Sequence, residues 1–190
     1  MMQDKVVVAL NGQINPRLAG GTESSVMSLV KHLAPQRDSI CLKFISLPAY
    51  SDSFREVAPF CTDVIDWPFQ SSYPISGKVK SAQLQRLRRH LGPARRLLDQ
   101  SVRLYRLARR RLPNVEQCDA VLEAEGVDVV HFGWPTTFPT SLPFIYEPQD
   151  LQHYHYPEFF LPDVLAWRTD MYLSSARAAR FLVCGIWWTK

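Results

Sequence analysis

Two short stretches of this chain combine residue types that do chemistry. The first is Glu147-Pro148-Gln149-Asp150-Leu151-Gln152-His153-Tyr154-His155-Tyr156-Pro157-Glu158-Phe159-Phe160. Amides, carboxylates and imidazoles are mixed here with aromatic rings. Such a mixture suits a carbohydrate, whose flat apolar faces stack on rings and whose hydroxyls need paired donors and acceptors. The same composition also serves a structural loop packed on a domain. His153 and His155 share a direction if the segment is extended, but no third ligand accompanies them, so no metal is expected.

The second stretch is Leu18-Ala19-Gly20-Gly21-Thr22-Glu23. Paired glycines let a backbone approach a ligand closely, and a helix start offers free amides to a phosphate. Taken alone, Gly-Gly before a helix is better read as a plain tight turn. The stretch is neither GxGxxG nor a P-loop, since no Gly-Lys-Ser/Thr is present. That argues against a nicotinamide-type dinucleotide enzyme.

The surrounding pattern predicts what positions these residues. Residues 5–10 (KVVVAL) read as a buried parallel strand, and 22–34 as a helix with Val26, Leu29, Val30 and Leu33 at helical spacing. Strands are expected over 40–47, 64–67, 127–132, 144–147 and 181–184, and helices over 53–58, 81–91, 94–112, 115–125 and 162–179. Gly126 closes the 115–125 helix, and Pro162 sits in the first turn of the last. Strands alternating with helices predict an α/β fold, a Rossmann-like parallel sheet with helices on both faces. Such sheets bind ligands at the C-terminal ends of their strands, where both stretches fall. At 190 residues one domain is expected.

Charge is unevenly spread. Residues 78–112 hold twelve Lys/Arg against one acid, Asp99, so this segment carries +11 and the rest of the chain −7. A solvated helical face explains it. An anionic membrane surface meeting residues 81–112 is the alternative, because Arg and Leu interleave amphipathically there. Nucleic acid is not expected, since only Tyr105 supplies an aromatic ring. Cys41, Cys61, Cys118 and Cys184 are far apart and form no CxxC pair, so they read as buried thiols in a reducing cytosol. No apolar run approaches a membrane span and no targeting signal is seen, which makes a cytoplasmic protein the expectation, peripheral to the membrane if the basic segment binds it.

Taken in order, several motifs resemble the family-four (group 1) retaining glycosyltransferases. Gly20-Gly21-x-Glu23 after the first strand is similar to their glycine loop. Asp128-Val129-Val130-His131 looks like their D-[VI]-[VI]-H strand. Gln149-Asp150-Leu151-Gln152-His153 and Tyr156-Pro157-Glu158-Phe159-Phe160 resemble their HDLQH and yPeff segments. Trp167-Arg168 is similar to part of the family's next helix, and Trp188-Thr189-Lys190 to its S-x-[WF]-T-[KR] stretch. The likeness covers roughly 1–35 and 127–190; residues 48–125 match nothing in it. Gln149 stands where members commonly place a histidine, and Gly185 where a serine is usual.

The resemblance implies the N-terminal, acceptor-side half of a GT-B enzyme, with residues 1–190 as one domain carrying a basic helical insertion at about 78–112. The C-terminal half, which would bind most of the donor, is expected to be missing. A sugar would pass from a nucleotide-sugar donor to a sugar or glycolipid acceptor with retained anomeric configuration. Gly20, Gly21 and Thr22 would approach the donor phosphates. Gln149, Asp150 and His153 would take the catalytic positions, and His131, Trp134, Gln152 and His155 would orient donor or acceptor. No cofactor or metal is expected beyond the nucleotide sugar itself. A glycan- or anionic-surface-binding domain without catalysis is the alternative.

Overall fold

The computed structural model describes residues 5–14, 21–50, 54, 59–69, 113–149 and 151–183, with Thr22 and Asp163 through their backbone only. The chain divides into two compact units, Met1–Ser72 with Pro113–Lys190, and Tyr73–Leu112. The second unit, with the expected helices 81–91 and 94–112, lies outside the described residues, as does the expected helix 53–58 apart from Phe54.

Six strands form one parallel sheet. They are β1 (Val6–Asn11), β2 (Ile40–Ser46), β3 (Asp63–Asp66), β4 (Val129–Phe132), β5 (Phe144–Tyr146) and β6 (Phe181–Leu182). Their spatial order is β3-β2-β1-β4-β5-β6. The helices are α1 (Gly21–Leu33), α2 (Val115–Ala124), the four-residue α3 (Gln152–His155) and α4 (Pro162–Ala178). This is the α/β, Rossmann-like architecture that the alternation predicts.

Both faces of the sheet are covered because alternate strand residues feed two cores. Val8 and Leu10 of β1, with Leu42 and Phe44 of β2, pack against Val26 and Val30 of α1. Val7 and Ala9, with Ile45, Val130, Phe132, Phe144 and Tyr146, pack on the opposite face against Cys118 and Leu122 of α2 and Ala176 of α4. Each fully buried aliphatic side chain here contributes roughly 1.5–3 kcal/mol of transfer free energy. Because β4 sends Val130 and Phe132 to the α2 face, His131 between them falls on the α1 face.

Local chemistry fixes the helix ends. Asn114 and Gln117 form a reciprocal capping box at the start of α2: the Gln117 N–H donates to Asn114 Oδ1 at 2.8 Å, and the Asn114 N–H to Gln117 Oε1 at 3.1 Å. Gly126 ends that helix at φ +64°, a conformation that glycine adopts without steric cost. Two ties then secure α2. Lys43 of β2 meets the Glu125 carboxylate at 2.7 Å. Asp119, buried, accepts hydrogen bonds from the Thr140 and Ser141 hydroxyls and the Ser141 N–H.

Three sequence expectations are corrected. The segment holding His153 and His155 is not extended: Gln152–His155 is a helical turn followed by a 3-10 turn at Pro157–Phe159. Positions two apart on a helix diverge by about 200°, so the two imidazoles do not share a direction. The last strand is only two residues long, with both side chains exposed. The thiols are not uniformly buried either: Cys118 is, Cys41 and Cys61 are half-buried, and Cys184 lies outside the described residues.

Candidate functional site

In a 3-2-1-4-5-6 sheet the strand order reverses between β1 and β4, and the crevice beyond their C-terminal ends is where such folds hold ligands. Asn11 ends β1 fully buried and spans this crevice. Its Nδ2 donates to the Thr136 carbonyl at 3.1 Å, and its Oδ1 accepts from the Gln13 N–H at 3.3 Å. Gly12 comes next, donating its N–H to Ile45 O at 2.9 Å. A Cβ there would lie 1.9 Å from the Phe44 ring, so the β1 turn can pass over that ring only without a side chain.

Beside this turn, α1 and the loops after β4 and β5 border a small, open recess. Ser25, Val26 and Leu29 of α1, Gly133 after β4, and Glu147 and Gln149 after β5 line it. Ser25 is one turn from Gly21, the first residue of α1, and its hydroxyl donates to the Gly21 carbonyl at 3.1 Å. The recess therefore opens about 6 Å along the helix axis from the amides that begin α1.

Gln149 is held in an unusual way. Its φ is +66°, the only positive φ of a non-glycine residue among the described residues. Its side-chain amide donates to the Gly133 carbonyl at 2.6 Å, bridging the β4 and β5 loops. The left-handed conformation costs a side-chain-bearing residue roughly 1–2 kcal/mol. Strain of this kind collects where the surrounding structure fixes a functional group.

Glu147 is the ionisable residue among those lining the recess, its side chain 33% exposed. Oε2 lies 3.5 Å from Nε2 of His131, whose side chain is 11% exposed. That ring nitrogen is buried and has no hydrogen-bond partner. Gly133 lies close by, and a Cβ on it would touch Glu147 Oε2 at 3.8 Å, an ordinary contact.

The site residues expected from sequence are thus brought together only in part. Gln149 lines the recess, with His131 behind Glu147, and Gly21 begins the adjoining helix. Thr22 is in that helix, its side chain not described, while Gly20 and Asp150 lie outside the described residues. Trp134 packs against the α1-side core. His153 is buried away from the recess, its ring edge-on to Tyr172 of α4 with centroids 4.5 Å apart. Gln152 and His155 are exposed on the short α3 turn. Sequence reasoning misses Ser25, and it includes Glu147 in the chemistry-bearing stretch without giving it a site role. Glu147 is detectable as the first residue past β5, the place equivalent to Gly133 past β4; Ser25 is one helical turn beyond Gly21.

No family model matches this chain, and no curated protein or solved structure matches it. Among the described residues no helix is long and apolar enough to cross a membrane, and no three His, Cys, Asp or Glu residues are grouped to hold a metal ion.

Proposed function

We propose that this domain is the acceptor-side half of a retaining, nucleotide-sugar-dependent glycosyltransferase of the GT-B type. The observation that carries the reading is the recess at the sheet's order reversal, where Gln149 is held at positive φ beside the start of α1. The resemblance of the Gly20-Gly21-x-Glu23, Asp128–His131 and Gln149–Phe160 motifs supplies the reaction, and Gly21, His131 and Gln149 from the three motifs lie in or beside the elements that border this crevice.

In this reading the amides of Gly20, Gly21 and Thr22 face the donor diphosphate and offset the charge that develops on the leaving group. The glycosidic bond to the phosphate breaks as the acceptor oxygen bonds the anomeric carbon, and the departing phosphate takes the acceptor proton. No metal or obligatory protein base enters. Gln149 and Asp150 orient the reacting sugars. His153, buried against Tyr172, holds the 149–155 segment in place. A second Rossmann-like domain provides most of the donor contacts. The basic 81–112 segment is the proposed contact for an anionic membrane carrying a glycolipid acceptor.

One observation favours a second reading, a glycan-binding domain without turnover. Tyr156 and Phe159 stack with centroids 5.7 Å apart and planes 14° apart, and both are more than half exposed. Turnover separates the two readings. The intact gene product is incubated with uridine- and guanosine-diphosphate sugars and an envelope glycolipid extract, with EDTA present. The proposed reading expects a glycoside that keeps the donor's anomeric configuration. Inverted product, or strict dependence on a divalent metal, would contradict it.

A further inference from the structure

We infer that the rings of Tyr154, His155, Tyr156 and Phe159 form a stacking platform for an uncharged oligosaccharide. It is a separate site from the recess, and it serves the domain whether that domain turns over or only binds. The four rings touch in sequence. Tyr154 meets His155 edge-on with centroids 5.5 Å apart, His155 leans on Tyr156 at 6.5 Å, and Tyr156 stacks on Phe159 at 5.7 Å with planes 14° apart. All four residues are exposed, Tyr154 to 77%, Phe159 to 69% and Tyr156 to 52%. Phe159 has one face on Tyr156, so exposure of this extent leaves its other face open. Tyr154 likewise keeps a face in solvent.

The base under the rings is fixed at both ends. His153 is buried edge-on to Tyr172 with centroids 4.5 Å apart, and the Arg168 guanidinium lies over the Phe160 ring, 4.7 Å from its centroid. Arg168 and Tyr172 are one turn apart on α4, so the segment is tied twice to the same helix. Pro157 opens the 3-10 turn that carries Phe159 and restricts the backbone between the ties. Rings held in this way are ordered before a ligand arrives, which removes much of the entropy cost of binding one.

Three features select an uncharged glycan as the occupant. Open aromatic faces suit the flat apolar faces of sugar rings. The groups among the rings are hydrogen-bonding ones: Tyr154 and Tyr156 carry hydroxyls, and His155 and Glu158 are exposed beside them in the chain. Together they donate and accept, as sugar hydroxyls require. Residues 151–167 contain no Lys or Arg, so the segment offers no cation to an anionic lipid surface or a nucleic-acid backbone. Because more than one ring face is open along the array, a chain of sugars engages it better than a single one. A neutral lipid or an apolar partner protein would need only apolar bulk, which leucine supplies as well as a ring does.

The test is a titration of the ¹⁵N-labelled full chain with maltotriose, cellotriose and mannotriose, with the matching methyl monosaccharides, and with vesicles of neutral phosphatidylcholine. The backbone amides of His155 and Phe159 report the platform. At least one trisaccharide is expected to shift both saturably and to bind more tightly than its monosaccharide. Phe159→Ala and Tyr154→Ala are each expected to weaken it about tenfold, the worth of one stacked ring. Phe159→Trp should retain binding. Phe159→Leu should lose it, because leucine keeps the apolar bulk without a ring face. Both positions are exposed, and unchanged melting temperatures verify folding. The inference is overturned if no trisaccharide moves these amides, if Phe159→Leu binds as the parent does, or if the vesicles shift them and the trisaccharides do not. The readout is binding and not turnover, so retained glycosyl transfer with silent trisaccharides overturns the platform alone.

Discussion

Val7 and Asp128 bind each other in both directions. The Val7 N–H donates to Asp128 Oδ2 at 2.8 Å, and the Asp128 N–H donates to the Val7 carbonyl at 2.9 Å. The carboxylate thereby supplies a rung of the β1–β4 ladder just before Val129 pairs with Val8. The acid that opens the Asp128–His131 motif thus sets the register of the two strands that flank the crevice. It does so at the end of the sheet remote from the recess. Asp128→Ala is expected to cost about 0.5–1.5 kcal/mol, the net worth of one hydrogen bond, while Asp128→Asn keeps the acceptor and most of the stability. Urea denaturation measures both. Equal losses in the two variants would show that the acceptor oxygen is not what matters.

Gln149 carries a conformational cost that glycine would not. Gln149→Ala loses the hydrogen bond to Gly133 and keeps the strained φ, so it is expected to be destabilised by about 1 kcal/mol. Gln149→Gly loses the same bond but relieves the strain. It is expected to be more stable than the alanine variant by about 1 kcal/mol, close to the parent protein. This order is the reverse of that at an ordinary loop position, where glycine adds entropy to the unfolded chain. Thermal denaturation of the pair decides it: alanine above glycine would mean the positive φ is not held in solution.

Asp119 makes stability depend on acid. Burial pushes its carboxyl up, but hydrogen bonds from the Ser141 and Thr140 side chains and the Ser141 backbone more than offset this, leaving it below its ordinary value of 3.8. A carboxyl lowered in the folded state stabilises the protein fully above its unfolded value, and that contribution is lost as pH falls through the folded one. The melting temperature is therefore expected to drop below about pH 4, and Asp119→Asn to be less stable at pH 7 with a shallower acid slope. Parallel slopes for the two proteins below about pH 4 would contradict this role.

Cys118 illustrates a thiol kept inert by its surroundings. Burial, with the neighbouring Asp119 carboxylate adding to it, pushes its pKa up to about 12. The thiolate is the reactive form, so alkylation by iodoacetamide at about pH 8 is expected to spare Cys118 in the folded protein and to label it in urea. Mass spectrometry of the peptide carrying Cys118 reads the outcome. Rapid native labelling would show that α2 opens locally.

Much of the fold is legible in the sequence because it rests on local pattern. The Val-rich 6–10 run, the helical spacing of Val26, Val30 and Leu33, and Gly126 past the α2 helix each carry their own signal. Alternation of elements then implies a parallel sheet, and right-handed crossovers restrict its topology. The site is legible only as a neighbourhood. His153 is buried by Tyr172, nineteen residues further on, a tertiary packing that no spacing between His153 and His155 encodes. The α3 turn escapes because four residues ahead of Pro157 are too few to show a period. Glu147 acquires meaning only when β4 and β5 pair in register, with His131 opposite Ile145, which brings it beside a ring sixteen positions earlier.

An amide-shift map of this domain, titrated with uridine-diphosphate glucose and guanosine-diphosphate mannose, tests most directly whether the β1–β4 crevice holds a nucleotide sugar. Weak, saturable binding is expected, with a dissociation constant on the order of millimolar, about −4 kcal/mol. The shifts should fall on Gly21, Thr22, Gly133 and Gln149, around the β1–β4 crevice. Gly21→Ala should fold normally, since a Cβ there meets no described atom within 4 Å, yet bind the nucleotide sugar more weakly. Shifts confined to other surfaces would contradict the assignment of the site. Micromolar or tighter affinity would contradict the proposed division of labour between this domain and a second one.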